Sequence, residues 1–116
     1  MRLKDLRPQF LKYTLEGEHE MYLHTDNLRS ADGIMFLCPK CFEENGNSSV
    51  GVHRVICWFR GRVPDHVRPN PGRWTPSGNG FDDLTFVAGD PPMAVSVALM
   101  SGCGWHGFIK DGEATV

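Results

Sequence analysis

Ile34-Met35-Phe36-Leu37-Cys38-Pro39-Lys40-Cys41 is a short unbroken apolar run that feeds directly into a C-x-x-C turn. Four apolar residues in succession, started by Gly33, read as a buried strand entering a metal knuckle. Near the other end of the chain stands Cys103-Gly104-Trp105-His106, a C-x-x-H turn. Each turn carries a residue that helps it bend, since Pro39 fixes φ and Gly104 permits positive φ. Together the two turns offer three thiols and one imidazole, the number and type of ligands that structural zinc takes in a tetrahedral site. The expected metal set is therefore Cys38, Cys41, Cys103 and His106, closing the intervening 61 residues into one loop. Two further donors stay open as alternatives for the fourth position. His53 and Cys57 lie at i and i+4 of a predicted strand and so share one face. For Cys57 the competing reading is a packed core cysteine in an apolar strand.

Around these turns the chain reads as β structure. Phe10 to Leu15 and Met21 to His24 are candidate strands separated by Glu16-Gly17-Glu18, and Asp26 is the expected N-cap of a helical turn reaching Ala31. Val50 to Phe59, rich in β-branched and aromatic residues, is the strongest strand candidate. Asp82 to Val87 and Met93 to Met100 follow. The last hairpin pairs His106 to Lys110 with Glu113 to Val116 across Asp111-Gly112, the dipeptide favoured in a type I′ turn. No window has a 3.6-residue apolar period. Residues 60–80 are crowded with Pro and Gly and read as a long irregular loop, although Trp74 within it needs something to pack on. The expectation is a mainly β fold, a compact antiparallel sheet domain over 1–116 whose two knuckle-like turns are closed by one zinc.

Composition narrows the function classes. A chain of 116 residues fits one domain with a modest core. Twelve basic and fourteen acidic residues give a net charge of −2, with no basic block beyond Arg60-Gly61-Arg62. Nucleic acid is not an expected partner. No apolar run has the length of a membrane span, and the first residues lack a signal-peptide core, so a cytoplasmic protein with reduced thiols is expected.

A zinc with four protein ligands has no open position for water, so any chemistry has to sit elsewhere. Ser96 lies inside Met93-Ala94-Val95-Ser96-Val97-Ala98, ten residues before His106. One reading places it on the solvent face of an alternating strand. The other makes Ser96 a nucleophile and His106 its base, with Asp82 or Asp83 orienting the ring. That reading competes with the metal for the same imidazole. His19, His24 and His66 lie in polar surroundings and read as surface residues.

Three segments carry a family resemblance. They are Phe36-Leu37-Cys38-Pro39-Lys40-Cys41, then Asp83-Leu84-Thr85-Phe86 with Ser96-Val97, and then Cys103-Gly104-Trp105-His106-Gly107-Phe108-Ile109 leading to Asp111-Gly112. The stretch from Phe36 to Gly112 resembles a family of small phage and bacterial proteins of poorly known function, often labelled "ammonia monooxygenase". A bacterial branch accompanies ubiquitin-like conjugation operons and looks like a serine-type peptidase that removes the modifier. The resemblance implies a phage- or prophage-encoded protein acting on a protein or ubiquitin-like substrate, with Ser96 and His106 as a catalytic pair. In this chain Val95 precedes Ser96, where the family has Pro. The alternative is a zinc-stabilised, non-enzymatic module that binds another protein, for instance one countering a host system.

Overall fold

The computed structural model describes all residues from Met1 to Val116. Ten strands form three antiparallel sheets. In chain order they are β1 (Gln9–Glu16), β2 (His19–Thr25), β3 (Gly33–Leu37), β4 (Arg54–Trp58), β5 (Thr75–Ser77), β6 (Thr85–Ala88), β7 (Met93–Ala94), β8 (Ser96–Ala98), β9 (His106–Lys110) and β10 (Glu113–Ala114). One short helix, α1 (Pro39–Glu44), follows β3. The sheets run β2-β1-β3-β4, β10-β9-β8 and β5-β6-β7. The fold is mainly β and antiparallel, as the sequence indicates. No helix is long and apolar enough to cross a membrane.

The unbroken apolar run of β3 has a direct cause. The strand lies inside the four-stranded sheet, and every residue from Gly33 to Leu37 is buried. On one face Phe10, Ile34, Phe36, Val55 and Cys57 enter the main core. There they meet Leu84, Phe86, Val97, Trp105 and Ile109 from the other two sheets. On the opposite face Leu11, Met35 and Trp58 form a second cluster with Val63 and Val67. A strand covered on both sides cannot alternate apolar with polar. Gly33 pairs with Trp58, and a Cβ there would come within 2.6 Å of the indole, so the position needs glycine for close approach.

Residues 60–80 are a cover for this second cluster. The Arg73 guanidinium donates to the carbonyls of Pro64, Val67, Pro69 and Gly72 at 2.9–3.0 Å, which gathers an otherwise unpaired segment around one side chain. The Trp58 indole donates to the Arg68 carbonyl at 2.9 Å. The end of the segment is ordered further by β5, so the expected irregular loop holds a short strand.

Three other expectations shift in detail. Strand β4 starts at Arg54, not Val50, because the Asn45 side chain donates to the carbonyls of Ser48 and Val50 and holds that stretch as a turn. Asn27, not Asp26, caps the short 3₁₀ turn Leu28–Ser30, its side-chain oxygen accepting from the Ser30 N–H at 3.0 Å. The run Met93 to Met100 is two strands. Val95 gives its N–H to the Phe86 carbonyl, so the chain passes from the β5-β6-β7 sheet to the β8-β9-β10 sheet at this residue. The final hairpin is as expected, with Asp111 at φ 50° and Gly112 at φ 74°. Both central residues thus take the positive φ that a type I′ turn needs.

Candidate metal centre

The C-x-x-C segment is positioned by the end of the central sheet. Cys38 follows β3 directly and occupies the N-cap of α1, with Pro39 at the first helical position, where its missing N–H costs nothing. Cys41 is one turn further along α1. The backbone of Cys38 is tied across to the next strand, its N–H donating to the His53 carbonyl at 3.0 Å. His53 therefore stands opposite Cys38 on the β3–β4 pair. Cys103 arrives from the other side of the molecule, in the turn Ser101–Gly104 between β8 and β9, where Gly102 and Gly104 have φ near +66° and +69°.

The four side chains converge. The ligand atoms of Cys38, Cys41, His53 and Cys103 all lie within 4.8 Å of one another. Cys103 Sγ is 3.5 Å from Cys38 Sγ and 3.4 Å from His53 Nε2. A tetrahedral ion with bonds of about 2.0–2.3 Å keeps its ligand atoms ~3.3–3.8 Å apart. The spacing fits a group that can hold one metal ion. All four cysteines carry free thiols, so no disulfide competes for the sulfurs.

The fourth member of the group is thus His53, and His106 stands outside it. The reason is strand alternation. Trp105 turns into the core, where it is 1% exposed, and the next side chain in an extended chain must point the other way. His106 opens β9 on the exposed face. Cys103-Gly104-Trp105-His106 is therefore a turn followed by a strand, not a closed knuckle. Distance along the strand separates the two spare donors. His53 and Cys57 share the inward face, but four residues of extended chain are ~13 Å long, so only one can reach the ion. Cys57 pairs with Ile34 inside the main core, and burial there pushes its thiol pKa up.

The three thiols of the group differ in acidity. Burial pushes Cys38 up to about 12 and also raises Cys41. Desolvation works in the same direction on Cys103, but hydrogen bonds from His53 and from the Trp105 backbone outweigh it and bring this thiol down to about 7. Cys103 is thus the most acidic of the three thiols. A bound cation would offset the mutual repulsion and draw the remaining protons off. Lys40, between the first two cysteines, donates from Nζ to the Cys103 carbonyl at 2.8 Å and joins the two ligand turns by backbone. We expect Lys40→Met to leave metal stoichiometry intact and to weaken metal affinity roughly tenfold, as loss of an outer support does. Competition against a chromogenic chelator measures this, and an unchanged affinity would show the contact to be incidental.

No hydrogen bond joins Ser96 to His106, the expected catalytic pair. Ser96 pairs with Phe108 and Ala98 with His106, so Ser96 and His106 are diagonal neighbours on the outer face of the β8–β9 pair. Such neighbours are typically 7–8 Å apart at Cα. The Ser96 carbonyl accepts from the Trp74 indole at 3.1 Å. Neither aspartate serves His106. Asp82 pairs with Arg2 at 3.2 Å, and Asp83 accepts from the backbone of Asn79 and Gly80, which lowers its pKa. His66 does find a partner, sitting 3.0 Å from Glu20. A search for relatives returned nothing: no family model matches the chain, and no curated protein or solved structure matches it significantly.

Proposed function

We propose that this chain is a zinc-stabilised β module that binds another protein, with the metal closing the fold and taking no part in chemistry. The observation that supports this reading is the complete set of four protein ligands, Cys38, Cys41, His53 and Cys103, drawn from three separate chain segments. Three thiolates and one imidazole gathered within 4.8 Å of one another suit zinc, and a closed set would leave no position for an activated water. The resemblance to phage and bacterial proteins suggests a partner in the host cytoplasm, a protein or a ubiquitin-like modifier among them.

A second reading, a serine-type peptidase, rests on one observation. His106 is outside the metal group and shares the outer face of the β8–β9 pair with Ser96. A shift of the two side chains toward each other would complete the nucleophile–base contact, which often tightens only with substrate. One experiment separates the two readings. A fluorophosphonate probe is applied to the metal-loaded protein and to Ser96→Ala and His106→Ala. The binding-module reading expects no labelling of any of them. Labelling of the wild type that is lost in both variants would replace it with the peptidase.

A further inference from the structure

We propose that the groove between β4 and β8 takes up an extended, apolar tail of another protein as an added strand. This rests on the binding-module reading and names the surface it uses. Both strands are the last of their sheets, so each has one edge with no strand on it, met on β4 only at its Trp58 end by Trp74. The direction of their backbone groups follows from the bonds already made. Cys38 donates to the His53 carbonyl and Phe59 donates to the Asp32 carbonyl, so residues 53, 55, 57 and 59 turn their backbone toward β3. Arg54 and Ile56 must then aim their N–H and C=O groups away from the sheet. On the other side Leu99 donates to the Trp105 carbonyl, which turns residues 97 and 99 toward β9 and Ala98 outward. The Ser96 carbonyl, on the same outward side, is met by the Trp74 indole.

Between these two edges lies a groove of about 550 Å³, walled by Ile56, Pro71, Trp74, Val97 and Leu99 among others. Both ends are pinned. At one end Trp74 donates its backbone N–H to the Trp58 carbonyl and its indole N–H to the Ser96 carbonyl, each at 3.1 Å. One residue thus spans from the β4 side to β8. At the other end His53 and Cys103, which precede β4 and follow β8, are joined at the metal centre. A metal bound there would therefore fix the separation of the two edges.

The shape selects the occupant. Outward N–H and C=O groups present alternating partial charges, and the complementary surface is the edge of another extended backbone. A strand seated here would use both of its own edges, one on β4 and one on β8. A strand already paired in a sheet has only one edge to give. That excludes a second folded copy of this chain and leaves a flexible tail. The walls favour apolar side chains on it.

The test uses the metal-loaded full chain and a phage-displayed library of random nonapeptides. Selected peptides are titrated into ¹⁵N-labelled protein. The expected result is enrichment of apolar peptides that shift the amides of Arg54, Ile56 and Ala98. N-methylation of alternate peptide residues, which removes only backbone donors, should weaken binding about tenfold or more. So should Ala98→Pro, which deletes an outward N–H and spares the bonds of residues 97 and 99 to β9. Metal content and the amide spectrum of that variant report that it is folded. Peptides that shift amides elsewhere, or bind N-methylated or to Ala98→Pro unchanged, would overturn the groove and leave the binding module standing. A concentration-dependent dimer abolished by Ala98→Pro would overturn the tail as occupant. No enriched peptide, together with serine-probe labelling, would overturn the binding module itself.

Discussion

His53→Ala is expected to abolish stoichiometric metal binding, whereas His106→Ala is expected to keep one equivalent per chain. This is the largest effect expected in the molecule, and its cause is where the ligands come from. Cys38 and Cys41 sit at the end of the four-stranded sheet, His53 lies just ahead of β4, and Cys103 lies between β8 and β9. An ion held there would therefore tie two sheets and the long α1–β4 connection at one point. Structural zinc in zinc-finger peptides is worth about 10–16 kcal/mol at neutral pH, of the same order as the stability of a whole domain. This chain also has a substantial core of its own, so the apo form keeps part of its structure. We expect His53→Ala and Cys41→Ser to lower the melting temperature by on the order of 10 °C or more. Chelator should bring the wild type down to meet them. Cys57→Ala should cost only packing and retain the metal, because Cys57 is enclosed in the core away from the cluster. Elemental analysis of the four variants checks the whole set. Retention of one equivalent by His53→Ala, with loss in His106→Ala, would restore the ligand set expected from spacing alone.

The difference between those two ligand sets shows what the sequence can and cannot convey. Three of four ligands were legible because a C-x-x-C after an apolar run and a second cysteine turn are local signals. The fourth was a choice between His53, Cys57 and His106. Spacing favoured His106, since two residues separate it from Cys103 as they separate Cys41 from Cys38. What decides the matter is the direction of Trp105. Once that large side chain is committed to the core, His106 faces out. The signal that pointed to His53 was present in the alternation, where residues 53, 55 and 57 share one face. It lacked the register of β3 on β4, which sets His53 opposite Cys38.

The same limit applies elsewhere. Strand positions from 9 to 25 and the Asp111-Gly112 hairpin were readable because their turns are short and local. The role of residues 60–80 was not. It depends on Arg73 gathering distant carbonyls and on Val63 and Val67 covering Leu11 and Met35, which no window of sequence contains. Ser96 stands out in the sequence as a polar residue in an apolar run. The break at Val95, where the chain changes sheets, is what turns that run into two short strands.

Trp105→Ala is expected to cost about 3–5 kcal/mol of stability, the range for truncating a buried tryptophan. Its ring is 1% exposed and meets Phe36 edge-on, with centroids 6.0 Å apart and planes at 87°. Its indole N–H donates to the Thr115 carbonyl at 2.9 Å, so truncation also leaves an acceptor without its partner. Trp105→Phe should recover most of the packing and lose the hydrogen bond, leaving a cost of roughly 1–3 kcal/mol. The effect reaches the metal as well. Trp105 is two residues beyond Cys103, and its backbone N–H helps hold that sulfur as a thiolate. In Trp105→Ala the turn loses the anchor that fixes its exit, so metal affinity should fall while saturating metal still gives one equivalent. Denaturant unfolding at fixed free zinc measures the first effect, because bound metal otherwise shifts the apparent stability. Chelator competition measures the second. A loss below about 1 kcal/mol, near the average for arbitrary substitutions, would mean that Trp105 is not the anchor of the second ligand turn. The outward direction of His106 would then need another cause.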